Sequence, residues 1–251
     1  MGANVEFLGL AVAIVIVGVL IGSIGIGGVL LVPILAYLGD VPVHVAIASC
    51  NFSYLFSGLV GAAIYARKGS ISWRMGLWLG LGAMPAAYLG AVILSLLSTR
   101  ILEAIIAFLI VFAGINAILR PSDSSLERAG LRPGALVAIG AVVGLGSTVS
   151  GTGGPLILVP LLTWLRFPVL VAIGLSQIIQ VPIAVLATMG NLIHGQIDFM
   201  LGAVLAALLM LGAVGGAHLS HRVPSSLLKR VVAWVLIGVG AMILARLIWG
   251  F

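Results

Sequence analysis

Long apolar stretches, separated by short polar or proline-containing turns, occupy most of the 251-residue chain. A helix needs about 20 apolar residues to cross the hydrocarbon core of a bilayer, so these stretches predict membrane-spanning helices. The ten predicted segments are 5–22, 28–39, 43–66, 74–97, 101–119, 134–149, 155–165, 169–193, 199–219 and 226–248. The second and the seventh are too short to cross alone. The pattern therefore predicts an all-α polytopic membrane protein with 8–10 transmembrane segments.

Composition narrows the class of protein further. Hydrophobic residues make up 62% of the chain and charged residues 7%, whereas soluble domains carry about 25% charged residues. A soluble enzyme, a nucleic-acid-binding protein and a disordered chain are therefore excluded. The formal net charge of +6 comes from short clusters in loops, which is typical of orientation signals in a cell-membrane protein. The lipid bilayer is the expected surrounding, and a homo-oligomer is compatible with this composition.

A glycine-rich break precedes each short segment, at residues 22–28 and 146–154. Backbone groups inside a membrane must find hydrogen-bond partners, so an unwound stretch at that depth has to face protein or water. The alternative is that these glycines serve only close helix packing. That is the expected role of the four GxxxG pairs, Gly18/Gly22, Gly76/Gly80, Gly140/Gly144 and Gly212/Gly216.

An offset of 126 residues, as from 18 to 144, aligns the first half of the chain with the second. Chance would give about two glycine matches at this composition, yet eight occur. The sequence thus predicts a first repeat (1–120), a linker (121–133) and a second repeat (134–251). The matching pairs are Gly18/Gly144, Gly25/Gly151, Gly27/Gly153, Gly28/Gly154, Gly69/Gly195, Gly76/Gly202, Gly90/Gly216 and Gly114/Gly240.

Loop charges indicate how the two repeats are oriented. Loops 67–74 and 221–230 each carry three basic residues, while their counterparts 194–198 and 95–104 carry no net positive charge. Since cytoplasmic loops are enriched in Lys and Arg, equivalent loops should face opposite sides, as inverted repeats require. Inversion needs an odd number of crossings per half, so each short segment is either a crossing or an arm of a re-entrant hairpin. The N-terminus is then outside and the linker inside.

The paired breaks predict a site for a small anion. A helix N-terminus presents free N–H groups and a partial positive charge, and here glycines open both short helices. Asn51 and Gln177 stand at equivalent positions and would supply amide donors, with Gln180 and Tyr54 as weaker candidates. Interhelical hydrogen bonding is the alternative role for the amides. The candidate substrate-binding residues are Gly25, Gly27, Gly28, Ser49, Cys50, Asn51, Ser150, Gly151, Thr152, Gly153, Gly154, Ser176 and Gln177.

The acidic residues all lie near segment ends or in the linker. Cation transporters and proton pumps usually keep a carboxylate within the membrane, so this distribution argues against a cation as substrate. The four histidines lie near the predicted interfaces, where packing is the more common role. The sequence has no metal-ligand or cofactor motif, and neither a metal nor a cofactor is expected.

The chain resembles the TauE/SafE family of sulfite exporters over essentially its full length. The resemblance rests on Gly25-Ile-Gly-Gly28 followed by Val32-Pro33, and on Gly151-Thr-Gly-Gly154 followed by Val159-Pro160. It is supported by Gly69 to Trp73 and Gly195 to Phe199, which resemble the family's start of the next span. The resemblance implies export of sulfite or of small organosulfonates such as sulfoacetate.

This sequence departs from the family pattern at a few positions. Ser49-Cys50 and Leu175-Ser176 stand where the family has a Thr-Ser pair, and Val29 and Pro155 replace its third glycine. These changes bear on which anion is carried. A passive anion channel with the same donors is an alternative reading. A membrane enzyme, for which Cys50 is the only candidate nucleophile, or a scaffold subunit, which would need a partner surface, is a further alternative.

Overall fold

The computed structural model describes residues 2–24, 27–69, 71–119, 131–219 and 225–249. Within these ranges the chain forms ten α-helices and no strand, and a short 3₁₀ turn at Gly28–Leu30 leads into the second helix. The helices are α1 (Gly2–Ile24), α2 (Leu31–Leu38), α3 (Val43–Arg67), α4 (Trp73–Leu96), α5 (Thr99–Leu119), α6 (Pro133–Ser150), α7 (Pro155–Trp164), α8 (Val169–His194), α9 (Phe199–Leu219) and α10 (Ser225–Trp249).

Six of these helices, within the described ranges, are long and apolar enough to cross a membrane: α3, α4, α5, α6, α8 and α9. Large apolar side chains such as Leu77, Phe108 and Leu211 face outward with about two thirds of their surface exposed. Such an apolar exterior suits contact with lipid rather than water. The prediction of an all-α polytopic membrane protein is confirmed, and each of the ten predicted segments corresponds to a helix.

The second glycine-rich break is shorter than predicted. Helix α6 continues through Gly146 to Ser150, so only residues 151–154 are unwound. The Ser150 hydroxyl donates to the Gly146 carbonyl, which is how serine and threonine are accommodated within apolar helices. Gly151 then ends the helix in a left-handed conformation, with φ of 64°. In the first half α1 likewise extends past Gly22 to Ile24.

The long helices pack in a small number of pairs. Helix α3 packs on α8 at the centre of the molecule, and α5 packs on α10. The other extensive contacts join α1 to α9, α4 to α6, α4 to α8, and α3 to α9. The short helices α2 and α7 pack on α3 and α8 respectively, which places the beginnings of both short helices beside the central pair.

Close glycine contacts set the directions of these helices. Gly114 contacts Ile237 and Gly240 contacts Val111, so α5 and α10 run antiparallel. Helices α3 and α8 are also antiparallel, because Gly58 faces Gln180 whereas Gly61, further along α3, faces the earlier residue Gln177.

Helices α1 and α9 run parallel, as do α4 and α6. Gly18 meets the backbone of Leu209, and Gly216 meets that of Val19. Correspondingly, Gly144 meets the backbone of Ala83, and Gly90 that of Leu145. Each of these two contacts between α1 and α9 thus has a counterpart between α6 and α4 in which both residue numbers differ by 126.

Three of the four GxxxG pairs make the close backbone contacts that were expected of them. The exception is Gly76/Gly80 on α4, whose nearest neighbours are side-chain atoms of α8, Ile178 and Leu175 for Gly76 and Pro182 for Gly80. Backbone approach at the other pairs explains the high glycine content, because a side chain there would occupy the space of the neighbouring main chain.

Candidate functional site

The two breaks meet at a buried tyrosine. Tyr54 lies near the middle of the 25-residue helix α3 and is only 1% exposed. Its hydroxyl donates to the Gly28 carbonyl at 2.8 Å, on the first break. A Cβ atom at Gly153, on the second break, would lie 2.9 Å from Cδ2 of the same ring. One side chain therefore contacts both glycine-rich turns.

The breaks also contact each other directly. A Cβ atom at Gly28 would lie 2.8 Å from the Thr152 carbonyl oxygen, so only glycine permits this approach. Both turns lie beside the middle of α3, and α3 is long enough to cross a membrane. The unwound backbone is therefore at mid-depth of the bundle and is enclosed by protein, as unwound backbone in a bilayer must be.

The backbone of the second break is preset by its glycines. Gly153 and Gly154 have φ values of 76° and 103°, which side-chain-bearing residues rarely adopt. Their N–H groups donate to no acceptor within the described part of the chain, and Pro155, the first residue of α7, has no N–H group. Successive free N–H groups at a helix start form a concave site suited to an anion.

The first break has a different backbone. Gly27 is right-handed, with φ of −81°, and Leu30 N–H bonds to its carbonyl. The turn folds back on α1, since a Cβ atom at Gly27 would lie 2.5 Å from the Val17 carbonyl oxygen. Gly25 lies outside the described residues.

The paired amides join the two halves across the centre. Asn51 donates to the Thr148 carbonyl at 3.1 Å, and Gln177 donates to the Ile21 carbonyl at 3.4 Å. Each amide thus holds the last turns of the helix that precedes the other half's break. This is the interhelical role that was left open for them. Gln177 Oε1 is buried and has no partner in the described structure.

The hydroxyl groups that were predicted as donors to the breaks make contacts with other groups of the protein. Ser49 Oγ accepts a hydrogen bond from the Asp198 backbone N–H, on the loop before α9. Ser176 Oγ donates to the Ile173 carbonyl in its own helix. Ser150 and Thr152 hydroxyls contact each other at 3.0 Å beside the second break. Cys50 is fully buried.

Several buried polar residues were not singled out from the sequence. Ser147 and Thr148, in the last turns of α6, are fully buried and their hydroxyls have no partner among the described residues. Asn191, near the end of α8, is likewise fully buried. The available signal was the spacing of polar residues on α8, where Gln177, Gln180, Thr188 and Asn191 recur at intervals of three to eight residues.

Two surface cavities lie at opposite ends of the central helix pair. The first, which we call the His44 cavity, has a volume of about 410 Å³ and lies at the N-terminus of α3. The second, the Phe167 cavity, has a volume of about 360 Å³ and lies at the N-terminus of α8. Because α3 and α8 are antiparallel, the two cavities open at opposite ends of the bundle.

The cavities have equivalent linings. Pro42, Val45 and Gly195 line the His44 cavity, and the residues 126 positions away, Pro168, Val171 and Gly69, line the Phe167 cavity. Within the described ranges, no three His, Cys, Asp or Glu side chains cluster as metal ligands would. The polar side chains that are buried in the described part of the chain are all uncharged Ser, Thr, Asn or Gln.

Comparisons with known proteins agree with this architecture. The sequence model of the family described as "Sulfite exporter TauE/SafE" matches residues 10–243. The probable membrane transporter protein YdhB of Bacillus subtilis is 26% identical over 225 residues, which cover 86% of this chain and 91% of that protein.

Two further relatives cover similar shares. The probable membrane transporter protein YjnA of Bacillus subtilis is 27% identical over 244 residues, covering 88% of this chain and 93% of the relative. A probable membrane transporter protein of Haemophilus influenzae is 26% identical over 240 residues, covering 88% and 91%. No solved structure matches the chain.

Proposed function

Because the chain belongs to the sulfite exporter TauE/SafE family, we propose that it exports a small sulfur-containing anion, sulfite or an organosulfonate such as sulfoacetate. Membership makes the chain a multi-pass membrane transporter. The proposal adds the anion, the outward direction across the cell membrane, and alternating access as the mechanism. The N-terminus lies outside and the linker inside on this proposal, which accords with the loop charges.

The observation that carries the proposal is the second break. At mid-depth, just before α7 and beside Gly28 of the first break, Gly153 and Gly154 carry backbone N–H groups that have no acceptor in the described structure. An oxyanion is the ligand that such groups bind, because it accepts several hydrogen bonds and is attracted by the positive end of the helix dipole. Neutral donors also let the anion leave again, which a buried lysine or arginine would oppose.

The symmetry of the contacts supports alternating access. We propose that residues 1–120 and 134–251 are inverted repeats, since contacts between helices recur at an offset of 126 and equivalent helices pack antiparallel. One cavity lies at each end of the α3–α8 pair, and the packed breaks lie between the two cavities. This arrangement suits a carrier that opens to one side at a time. Tyr54 fills the space between the breaks in the present conformation.

Substitution of Gly154 by alanine tests the anion site. The nearest atom to a Cβ there is Ile183 Cδ1 at 3.6 Å, so the methyl group fits sterically but stands beside the free N–H groups and disfavours their backbone conformation. In proteoliposomes we expect uptake of radiolabelled sulfite to fall at least tenfold. Gly215→Ala on α9, where nothing lies within 4 Å, is the matched control and should transport normally.

A ligand-dependent melting shift separates loss of the site from loss of the fold. Sulfite should raise the melting temperature of the wild-type protein in detergent, since binding to the folded state alone stabilises it. The Gly154→Ala protein should melt cooperatively without that shift. Normal transport by Gly154→Ala, or no transport of sulfite or sulfoacetate by the wild type, would contradict the proposal.

A passive anion channel remains the second candidate, favoured by the absence of an acidic residue near the centre of any segment. Counterflow distinguishes the two. A carrier exchanges labelled external sulfite for unlabelled internal sulfite faster than it performs net uptake, whereas a channel passes current without that acceleration. We expect counterflow, because Gly28, Thr152 and Tyr54 leave no continuous opening where they contact one another.

A further inference from the structure

We propose that the His44 cavity is a second anion-binding site, in which the substrate is held at the outer face of the protein, apart from the central breaks. The inference rests on the proposed function, since it assigns another site to the same anion. Three helix ends form the cavity: the start of α3 and the ends of α4 and α8.

A buried amide without a partner is the first observation. Asn191 lines the cavity and is fully buried, yet neither its Nδ2 nor its Oδ1 atom has a hydrogen-bond partner in the described structure. An unmade hydrogen bond on a buried amide is costly, so buried amides normally have partners. A ligand in the cavity is the group that would supply one.

Three neighbouring polar side chains, those of His44, Ser95 and His194, already contact other groups of the protein. His44 Nε2 donates to the Leu97 carbonyl at 2.9 Å, and Ser95 Oγ donates to the Val92 carbonyl at 2.7 Å. His194 Nε2 lies 3.4 Å from the Tyr88 hydroxyl. Gln196 also lines the cavity but is exposed, so Asn191 is the buried polar side chain there that a ligand would satisfy.

The start of α3 is the second observation, and it determines the charge of the ligand. The N-cap residue is Pro42, which makes no side-chain cap, and the first helical hydrogen bond runs from Ala46 N–H to the Pro42 carbonyl. The N–H groups of His44 and Val45, which both line the cavity, therefore have no acceptor among the described residues. These two N–H donors and the positive end of the 25-residue helix α3 therefore face the cavity.

Carbonyl groups at the ends of α4 and α8 would disfavour an anion if they were free. Three of them accept hydrogen bonds: Leu97 O from His44 Nε2, Ile93 O from Leu97 N–H, and Asn191 O from Gly195 N–H. The Asn191 amide and the N–H groups at the start of α3 are donors that the cavity offers, and a small oxyanion is the chemistry that uses them. At about 410 Å³ the cavity has room for sulfite or for a short organosulfonate.

The equivalent position in the Phe167 cavity lacks this amide. Residue 65, which is 126 positions before Asn191, is a tyrosine whose hydroxyl donates to the Gly22 carbonyl at 3.2 Å. The two faces of the proposed carrier thus differ. The His44 cavity would bind the anion, whereas none of the described residues that line the Phe167 cavity has a buried side chain without a partner.

Binding of radiolabelled sulfite to the purified protein in detergent tests the inference. We expect two sulfite sites per wild-type chain. In Asn191→Leu we expect one, because the affinity of the His44 cavity should fall about tenfold or more. Asn191→Asp, of nearly the same shape, replaces the donor with a negative charge and should lose the same site. The matched control is Thr188→Val, one turn earlier on α8, whose hydroxyl is also buried without a partner in the described structure but does not line the cavity.

The outcomes separate this inference from the function on which it rests. If both Asn191 variants are folded and bind sulfite with wild-type stoichiometry and affinity while the wild type transports it, the His44 cavity is not a site. One site per wild-type chain, abolished by Gly154→Ala alone, would also overturn the inference. A wild-type protein that neither binds nor transports sulfite or sulfoacetate would instead refute the proposed function.

Discussion

At the scale of single residues, Tyr54 connects parts of the chain that are far apart in sequence. Its hydroxyl holds Gly28, its ring contacts Gly153, and its carbonyl accepts a hydrogen bond from Gln180 at 3.1 Å. The ring fills space that only glycines leave open. Together with the direct contact between Gly28 and Thr152, this one side chain therefore fixes the position of the two breaks relative to each other.

Replacing Tyr54 by phenylalanine should weaken the first break while keeping the packing. The ring remains, but the Gly28 carbonyl loses its buried donor, which costs about 1 kcal/mol. We expect a melting temperature lower by a few degrees in detergent and slower sulfite transport.

Tyr88→Phe is the control for this prediction, because the Tyr88 hydroxyl has only a long contact of 3.4 Å with His194. Its melting temperature should match that of the wild type. Equal stability and transport for Tyr54→Phe would show that the hydroxyl does not hold the break.

The sequence located the glycines of the two breaks but not the directions of the side chains around them. Gly153 and Gly154 could be predicted because few residues other than glycine adopt their backbone angles. Ser49 and Asn51 are two positions apart on one helix, so their side chains point in different directions: Ser49 contacts the loop before α9, and Asn51 contacts α6. Rotation of a helix about its axis is set by tertiary packing, which a strongly apolar sequence leaves undetermined.

At the scale of helices, close packing depends on glycines that face main chain. A Cβ atom at Gly144 would lie 2.3 Å from the Ala83 carbonyl oxygen, and one at Gly82 would overlap the Val137 carbonyl group. Backbone atoms cannot move aside as a flexible side chain can. The contact between α4 and α6 therefore tolerates no larger residue at these positions.

Gly144→Leu should abolish folding of the transporter, because the added side chain would force α6 away from α4 at a cost above about 3 kcal/mol. We expect loss of the monodisperse peak in size-exclusion chromatography of the solubilised protein. Gly134→Leu, at the start of the same helix with nothing within 4 Å, should elute normally. Folded Gly144→Leu protein would contradict the packing of these helices.

A double substitution tests the contact between α3 and α8. A Cβ atom at Gly61 would overlap Gln177 Oε1, so Gly61→Ala should displace that amide and lower the melting temperature. Gln177→Ala also destabilises, through loss of its bond to Ile21. Since the shortened side chain removes the clash, we expect the double variant to be more stable than the sum of the single changes predicts. Additive effects would show that the two residues do not touch.

The helices themselves were predictable because their apolar stretches are long. Only the limits of the breaks were wrong, since the glycine and hydroxyl residues before Gly151 were assigned to unwound chain. Within a buried helix the Ser150 hydroxyl bonds to the backbone of its own helix, so the helix persists to that residue. Residue type alone does not distinguish this behaviour from a loop.

At the scale of the whole molecule, the proposed inversion places the loop after α3 and the loop after α8 on opposite faces. Gln196→Cys should react with a membrane-impermeant maleimide in intact cells, and Ser72→Cys only after the cells are opened. Cys50 is fully buried, so it should not contribute to labelling. Labelling of both positions from the same side would refute inverted repeats.

The contact between Tyr54 and Gln180 bears on the history of the protein. The two residues are 126 positions apart and touch each other at the centre. If the chain descends from a duplicated gene, an ancestral dimer of identical subunits would have had the same side chain on both sides of its symmetry axis. A tyrosine facing a glutamine could arise only once the two copies mutated independently. On that descent, the molecular centre is where duplication and fusion allowed a divergence that an ancestral homodimer could not reach.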